Sequence, residues 1–241
     1  MPDLTQRSNA PEMMDDLTIT DERLTKSLEQ LQTVNRFLGG FSAVFEALLP
    51  YMQLNQERPV RILDVGCGIG DIPAFLLQET GIRRWDVEFT LIDLNPATVS
   101  YAKAHLASAL DTSVRDRVTL AVADASRLPF PPGAFDIVMA SMFLHHFAGK
   151  QATQIVREMG RVARDGVIIN DLHRDELAYF GIKALTHILP ATEMVRNDAP
   201  LSVARGFTRP ELYRIGRKAG LSNVRLRWRW AFRWVLISGK L

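Results

Sequence analysis

Apolar residues recur along this chain with two different periods, and the switch between the two marks its elements. Leu24, Leu28, Leu31, Val34 and Leu38 are spaced by three or four residues, which predicts a helix with one apolar face. Thr20-Asp-Glu-Arg opens that helix and Gly39-Gly40 stops it. A second helix is expected over about residues 41 to 51, through Val44, Phe45, Leu48 and Leu49. Before both, residues 1 to about 16 are polar, carry Pro2 and Pro11, and are expected to be mobile. From about residue 60 to 171 short branched apolar runs alternate with helical stretches. The runs are 61–65, 86–93, 118–124, 134–141 and 167–171, with Asp165-Gly166 read as the turn into the last. This alternation predicts a parallel sheet with helices on both faces.

The run Ile62-Leu-Asp-Val65 leads into Gly66-Cys-Gly-Ile-Gly70 and then Asp71. A strand, a glycine bend and a helix start together form a ligand cradle at the carboxyl end of a sheet strand. Asp71 reads as an N-cap, with Pro73 in the first turn. The dinucleotide fingerprint has glycine at its sixth position. Here that position is Asp71, and an acid there suits a ligand with a cationic end better than a pyrophosphate. The runs ending at Asp93 and Asp124 add two more acids at strand ends. Asp93, followed by Leu94-Asn95-Pro96, lies near the offset at which such folds place an acid for a ribose. Cys67 reads as a small residue in a tight loop, with a reactive thiol as the alternative.

Beyond residue 171, the stretch 172–205 has an amphipathic helical pattern through Ala178, Tyr179, Phe180, Ile182, Leu185, Ile188 and Leu189. Pro190 interrupts it, and residues 197–200 read as a loop. A segment this long is either a lid over an apolar ligand or an extension of the core. A helix then starts at Thr208, with Pro210 in its first turn, and ends at Gly220. Two closing strands are expected over 221–228 and 232–238. There arginines 225, 227, 229 and 233 alternate with Leu226, Trp228, Trp230, Phe232 and Trp234. Alternation puts arginines on one face and rings on the other, as in a half-buried strand. Basic and aromatic residues together also suit single-stranded nucleic acid.

The 241 residues suffice for one substantial α/β core. A formal net charge of +2 gives no global pull towards nucleic acid or anionic membrane. One cysteine excludes an internal disulfide framework and a cysteine-cluster metal site, and no metal is expected. There is no signal-like pattern and no apolar run of membrane-spanning length, so a cytoplasmic protein is expected.

The stretch Leu63-Asp-Val-Gly-Cys-Gly-Ile-Gly-Asp71 resembles the first motif of class I S-adenosylmethionine (SAM)-dependent methyltransferases, of the ubiquinone/menaquinone type. Residues 34–40, 170–173 and 200–203 are similar to a bacterial group associated with polyketide and phenolic-lipid biosynthesis, although His173 stands where an arginine is expected. The resemblance implies a Rossmann-like, seven-stranded, mostly parallel sheet with an antiparallel end. It implies a domain over 57–241, a helical cap over 17–56 and a lid insertion over about 172–205. Within it, Gly66, Cys67, Gly68 and Gly70 would line the methionine part of SAM, and Asp64 would orient its amino group. Asp93 would hold the ribose, Asp124 and Ala125 would frame the adenine, and Leu94 and Ser141 are further cofactor-binding candidates.

The implied reaction is in-line methyl transfer to an oxygen or carbon of a small, apolar or phenolic acceptor, leaving S-adenosylhomocysteine. The loop Ser141-Met-Phe-Leu lacks the Asn/Asp-Pro-Pro-Tyr/Phe motif of amino-group methylating enzymes. His145, His146 and His173 are the candidate bases, because imidazole titrates near neutral pH. A nicotinamide oxidoreductase, a non-catalytic SAM-binding module and an RNA methyltransferase are the alternatives. The oligomeric state is left open.

Overall fold

The computed structural model describes residues 3–54, 58–78 and 85–240. In chain order it forms α1 (Glu22–Phe37), α2 (Gly40–Leu54), β1 (Val60–Val65), α3 (Asp71–Gln78), β2 (Val87–Asp93) and α4 (Pro96–Ala109). A short α5 (Thr112–Arg115), β3 (Val118–Val122), β4 (Phe135–Ser141), α6 (Gly149–Val162) and β5 (Ala163–Leu172) follow. The chain then makes α7 (Glu176–Ile188), α8 (Glu193–Arg205), α9 (Arg209–Lys218), β6 (Arg225–Arg229) and β7 (Arg233–Gly239).

The strands form a seven-stranded sheet ordered β3-β2-β1-β4-β5-β7-β6. Pairings among β1 to β5 are parallel, and β7 runs antiparallel to both β5 and β6. This is the expected Rossmann-like sheet with an antiparallel end. Strand order reverses between β1 and β4, and a crevice opens outside the strand ends at such a reversal.

The branched runs are buried on both faces, as a covered parallel sheet requires. On one face Ile62, Phe89, Leu91 and Ile137 pack with α3, α4 and α2. On the other, Leu63, Val138 and Ile169 pack with Ile155, Met159 and Leu212 from α6 and α9. Thr208 and Glu211 make a reciprocal capping box at the start of α9, as the Thr-Arg-Pro-Glu run predicts.

Several expectations change. The helix α2 is not held apart from the wound domain. Phe41, Val44, Leu48 and Tyr51 join the sheet core, and the Tyr51 hydroxyl donates to the Ser238 carbonyl of β7 at 3.1 Å. The boundary expected at 56/57 falls outside the described residues. Residues 3–16, expected to be mobile, are seated on the domain. Ser8 N–H donates to the Ala204 carbonyl at 3.0 Å, and Arg7 donates to three backbone carbonyls. Asp165-Gly166 is not a turn, because α6 passes directly into β5 at Ala163. Residues 197–200 are not a loop but the middle of α8. Asp198 turns inward there and accepts from the N–H groups of Met13 and Met14 at 2.8 and 3.1 Å. The closing strands alternate only in part as expected, since Trp228 and Trp230 are exposed while Arg233 is 2% exposed.

Gly166 shows how closely α2 sits on the sheet, because a Cβ there would overlap the Tyr51 hydroxyl. Gly166→Ala is expected to cost about 1–3 kcal/mol by overpacking. Thermal unfolding should read this as a fall of several degrees in midpoint, with sheet content retained.

Candidate functional site

The bend after β1 is built on backbone that side chains disfavour. Gly66, Gly68 and Gly70 all have positive φ, at 71°, 54° and 72°. A Cβ at Gly66 would collide with the Phe143 ring, whereas one at Gly68 would meet nothing within 4 Å. Gly66 therefore admits an aromatic neighbour, and Gly68 presents bare main chain to open space. Gly70 serves a different purpose. A Cβ there would press on Leu106 and Leu91 at 3.1 and 3.2 Å, so its small size lets α4 and β2 pack. It is not among the residues that wall the cavity beside the bend.

That cavity has a volume of about 730 Å³. Asp64, Cys67, Gly68, Asp71, Asp93 and Leu94 wall one end of it. Asp93 Oδ2 accepts from Gly68 N–H at 3.3 Å and Oδ1 from Asn95 N–H at 3.0 Å, so the second strand's acid braces the first strand's bend. Burial pushes all three carboxyls up. Asp64 lies well above the usual range, with Asp71 and Asp93 adding repulsion. Asp71 is pushed up to about 6 by burial. Asp93 is raised by burial, against the N–H groups of Asn95 and Gly68. Burial also raises the Cys67 thiol well above its usual value, which supports the small-residue reading over a reactive thiolate.

At the other end, β4 and β5 supply Ser141, His145 and Asp171. Asn170 Nδ2 donates to Ser141 Oγ at 2.9 Å. A single turn of 3₁₀ helix, Leu144–His146, turns both histidines into the cavity wall. His145 is buried, its Nδ1 lies 2.7 Å from Asp171 Oδ1, and its own N–H donates to Asp171 Oδ2 at 3.1 Å. The carboxylate thus holds the ring by its Nδ1 and its own N–H, and Nε2 lies 3.7 Å from Glu12 Oε1 on the cavity wall. Burial acts to raise the Asp171 carboxyl, but His145 outweighs it and the net shift is downward.

The seated leading segment adds groups that nothing in its sequence pattern announces. Glu12 is buried with its Oε1 3.7 Å from His145 Nε2, and that oxygen accepts no hydrogen bond. Burial pushes its carboxyl up to about 7. Asp15 Oδ1 lies 2.6 Å from His146 Nδ1, and Asp15 Oδ2 accepts from Arg205 at 2.6 Å. The donor atoms of Glu12, His145 and His146 lie within 4.8 Å of one another, a spacing that can hold a cation. Arg205, 3.6 Å from Glu12 Oε1, already brings positive charge to that cluster.

Helix α1 turns its predicted apolar face, Leu24, Leu28, Leu31, Val34 and Leu38, to the cavity rather than to a second core. Leu177, Ala178, Ile182 and Leu185 of α7 and Val203 of α8 close it from the other side, while Phe180, Ile188 and Leu189 are exposed. Besides Gly70, three expected site residues are not in the wall. Asp124 is exposed and accepts from Ser126 N–H at 2.7 Å, and Ala125 packs into the core beside β4. His173, the residue after the end of β5, packs against Trp234, with ring centroids 5.1 Å apart, whereas its neighbour Leu172 is in the cavity wall. Its Nδ1 is buried without a partner, and burial pulls its pKa down.

A family model described as a methyltransferase domain matches residues 62–166. The chain is 33% identical over 123 residues to ajmaline N-methyltransferase of Rauvolfia serpentina, covering 50% of this chain and 39% of that one. It is 29% identical over 177 residues to methyltransferase GfsG of Streptomyces halstedii, covering 73% of this chain and 58% of that one. The chain therefore spans less than two thirds of the length of these curated relatives. A SAM-dependent methyltransferase from Aquifex aeolicus superposes with a TM-score of 0.61 at 17% identity, covering 88% of this chain and 95% of that one. With the glycine bend, the acid-tipped strands and the β7-inserted sheet already in view, residues 62–166 match a methyltransferase domain, and the chain shares the fold of SAM-dependent methyltransferases.

Proposed function

We propose that this protein transfers a methyl group from SAM to an oxygen, or a carbon, of a small and largely apolar or phenolic acceptor. The observation that carries this reading is one cavity with two chemically distinct ends. At one end three acids with raised pKa values surround bare backbone at Gly68. At the other an Asp171–His145 pair faces apolar walls. Three carboxylates at one end, Asp64 buried and Asp71 and Asp93 half-buried, suit a cationic ligand, and they would repel the pyrophosphate of a dinucleotide. When bound, SAM supplies a methyl group made electrophilic by its sulfonium.

The remaining steps belong to the chain's own residues. Asp64 and Asp71 would hold the ligand's ammonium, and Asp93 would accept from the ribose hydroxyls. Asp171 holds His145 with Nδ1–H directed at the carboxylate, which leaves Nε2 free to take the acceptor's hydroxyl proton. α1, α7 and α8 exclude water and align the acceptor, and alignment can supply much of the acceleration of a displacement. The segment 172–205 acts in this reading as a lid. One relative is named as an ajmaline N-methyltransferase, which supports a small acceptor here too.

Asp93→Ala should weaken SAM binding by about 10- to 100-fold in calorimetry, the scale of hydrogen bonds to a charged group. Cation binding needs Asp71 ionised, so SAM affinity should fall as pH drops from 7 to 5 through its value of about 6. Asp71→Asn should bind more weakly at pH 7 and lose that pH dependence. In the ligand-free protein the linkage has the opposite sign. A folded pKa above the unfolded value of about 3.9 means stability rises as pH falls from about 6 towards 4, a gain visible in thermal midpoints and smaller in Asp71→Asn.

With a turned-over acceptor, His145→Ala and Asp171→Asn should lower turnover by about 10²- to 10⁴-fold at unchanged SAM affinity. His173→Ala should leave turnover near wild type. Equal turnover across all three variants would remove the histidine base.

A further inference from the structure

Arg233, the first residue of β7, lines the cavity yet is 2% exposed. Its guanidinium carries five N–H donors and needs anionic or carbonyl partners to match them. It donates through Nε to the Leu38 carbonyl at 3.2 Å and through Nη1 to the Met142 sulfur at 3.0 Å. A thioether is a weak acceptor. Among the described residues no carboxylate forms an ion pair with Arg233. The other buried arginines differ. Arg174 makes a two-pronged pair with Glu211 at 2.9 and 2.8 Å, and Arg205 pairs with Asp15 at 2.6 Å. Arg7, half-buried, is matched by three carbonyls.

An arginine held dry without a counter-charge is costly, and the cost is recovered only when an anion arrives. Burial pulls the Arg233 pKa down to about 10, and Asp171 alone among the acids opposes that. The group still carries its charge at neutral pH. Asp171 already spends both its oxygens on His145 and on the Leu172 N–H. Arg233 pairs with Leu172, the neighbour of Asp171, across β5 and β7, and its Nη1 rests on Met142, the residue that follows β4. It therefore stands at the acceptor end of the cavity rather than at the cofactor end.

We propose that Arg233 is the anion clamp of the acceptor subsite, so that the acceptor is a small hydroxylated acid whose carboxylate pairs with this guanidinium. The inference rests on the methyl-transfer reading and narrows its substrate class. A carboxylate matches the planar guanidinium fork two-to-two. A phosphate dianion would leave a second charge unmatched among Leu38, Met142, Phe143 and Phe232. The clamp fixes the acid group and so turns the acceptor's hydroxyl towards His145 Nε2, while the apolar walls hold its body.

The test uses the full chain, its Arg233→Met variant and its Arg233→Lys variant, with 1-hydroxy-2-naphthoate and the methyl ester of that acid as probes in the presence of S-adenosylhomocysteine. The wild type should bind the acid at least about tenfold more tightly than the ester, as a charged hydrogen-bonded pair implies. Arg233→Met should lose that preference, and Arg233→Lys should keep part of it. S-adenosylhomocysteine affinity should stay within about twofold in both variants. Ligand-free Arg233→Met should melt at or above the wild-type midpoint, because an unmatched buried charge has gone. A midpoint lowered by several degrees would make Arg233 a structural residue and overturn the proposal. A tenfold loss of S-adenosylhomocysteine affinity would assign its anion to the cofactor's own carboxylate and overturn it equally. So would a wild type that does not prefer the acid. Failure of the wild type to bind S-adenosylhomocysteine would instead sink the methyl-transfer reading itself.

Discussion

Carboxylates are costly to bury unpaired, and this fold gathers three of them at the ends of β1 and β2 and the start of α3. Asp64, Asp71 and Asp93 share one end of a cavity, and each is pushed towards its neutral form there. Among the described residues no cation forms an ion pair with any of them, and His146 acts on Asp93 only from farther off. Their common requirement for positive charge sets the polarity of the site. The main chain answers a different need at the same place. Glycines with positive φ let the strand turn and leave room for a ligand to lie against bare backbone at Gly68. Destabilising groups held by an otherwise well-packed sheet are the usual cost of a binding site.

The opposite end obeys the reverse logic. There the charges are largely paired: Asp171 with His145, and Asp15 with both His146 and Arg205. Pairing orients these side chains, and orientation is what a proton-transfer group needs. Among the described residues Arg233 is an exception, while Glu12 Oε1 lies 3.6 Å from Arg205 without accepting a hydrogen bond, and both residues lie on the cavity wall. Unmatched groups of opposite sign within one cavity describe a site with more than one kind of ligand contact. The walls between the two ends are apolar and come from outside the wound sheet, on α1, α7 and α8.

The leading segment ties these parts together. Arg7 donates to the carbonyls of His145 and Phe147, Arg205 to those of His145 and His146, and Ser202 to Glu12. One stretch near the start of the chain, one turn after β4 and one helix before α9 thus hold each other in place. None of the three would keep its conformation alone, since the contacts that fix it span from about 60 to nearly 200 residues of sequence.

The sequence by itself determined what local chemistry can determine. The glycine bend, the acids at the ends of β1 and β2, the Thr208 start of α9 and the apolar stripe of α1 depend on neighbours a few residues apart, and all four could be read from spacing. The sheet followed from alternation, together with the family resemblance that supplied its antiparallel end. Tertiary structure decided which of several equivalent-looking groups face the cavity. Asp93 and Asp124 both follow apolar strands, yet only Asp93 lies in the cavity wall, because β3 is the sheet's outer strand and its acid is left in solvent. His145 and His173 both follow central strands, yet one is locked by Asp171 and the other packs on Trp234. Glu12 and Arg233 gave no local sign of their place. Burial and pairing are properties of residues brought together from distant parts of the chain, and a one-dimensional pattern carries no record of them.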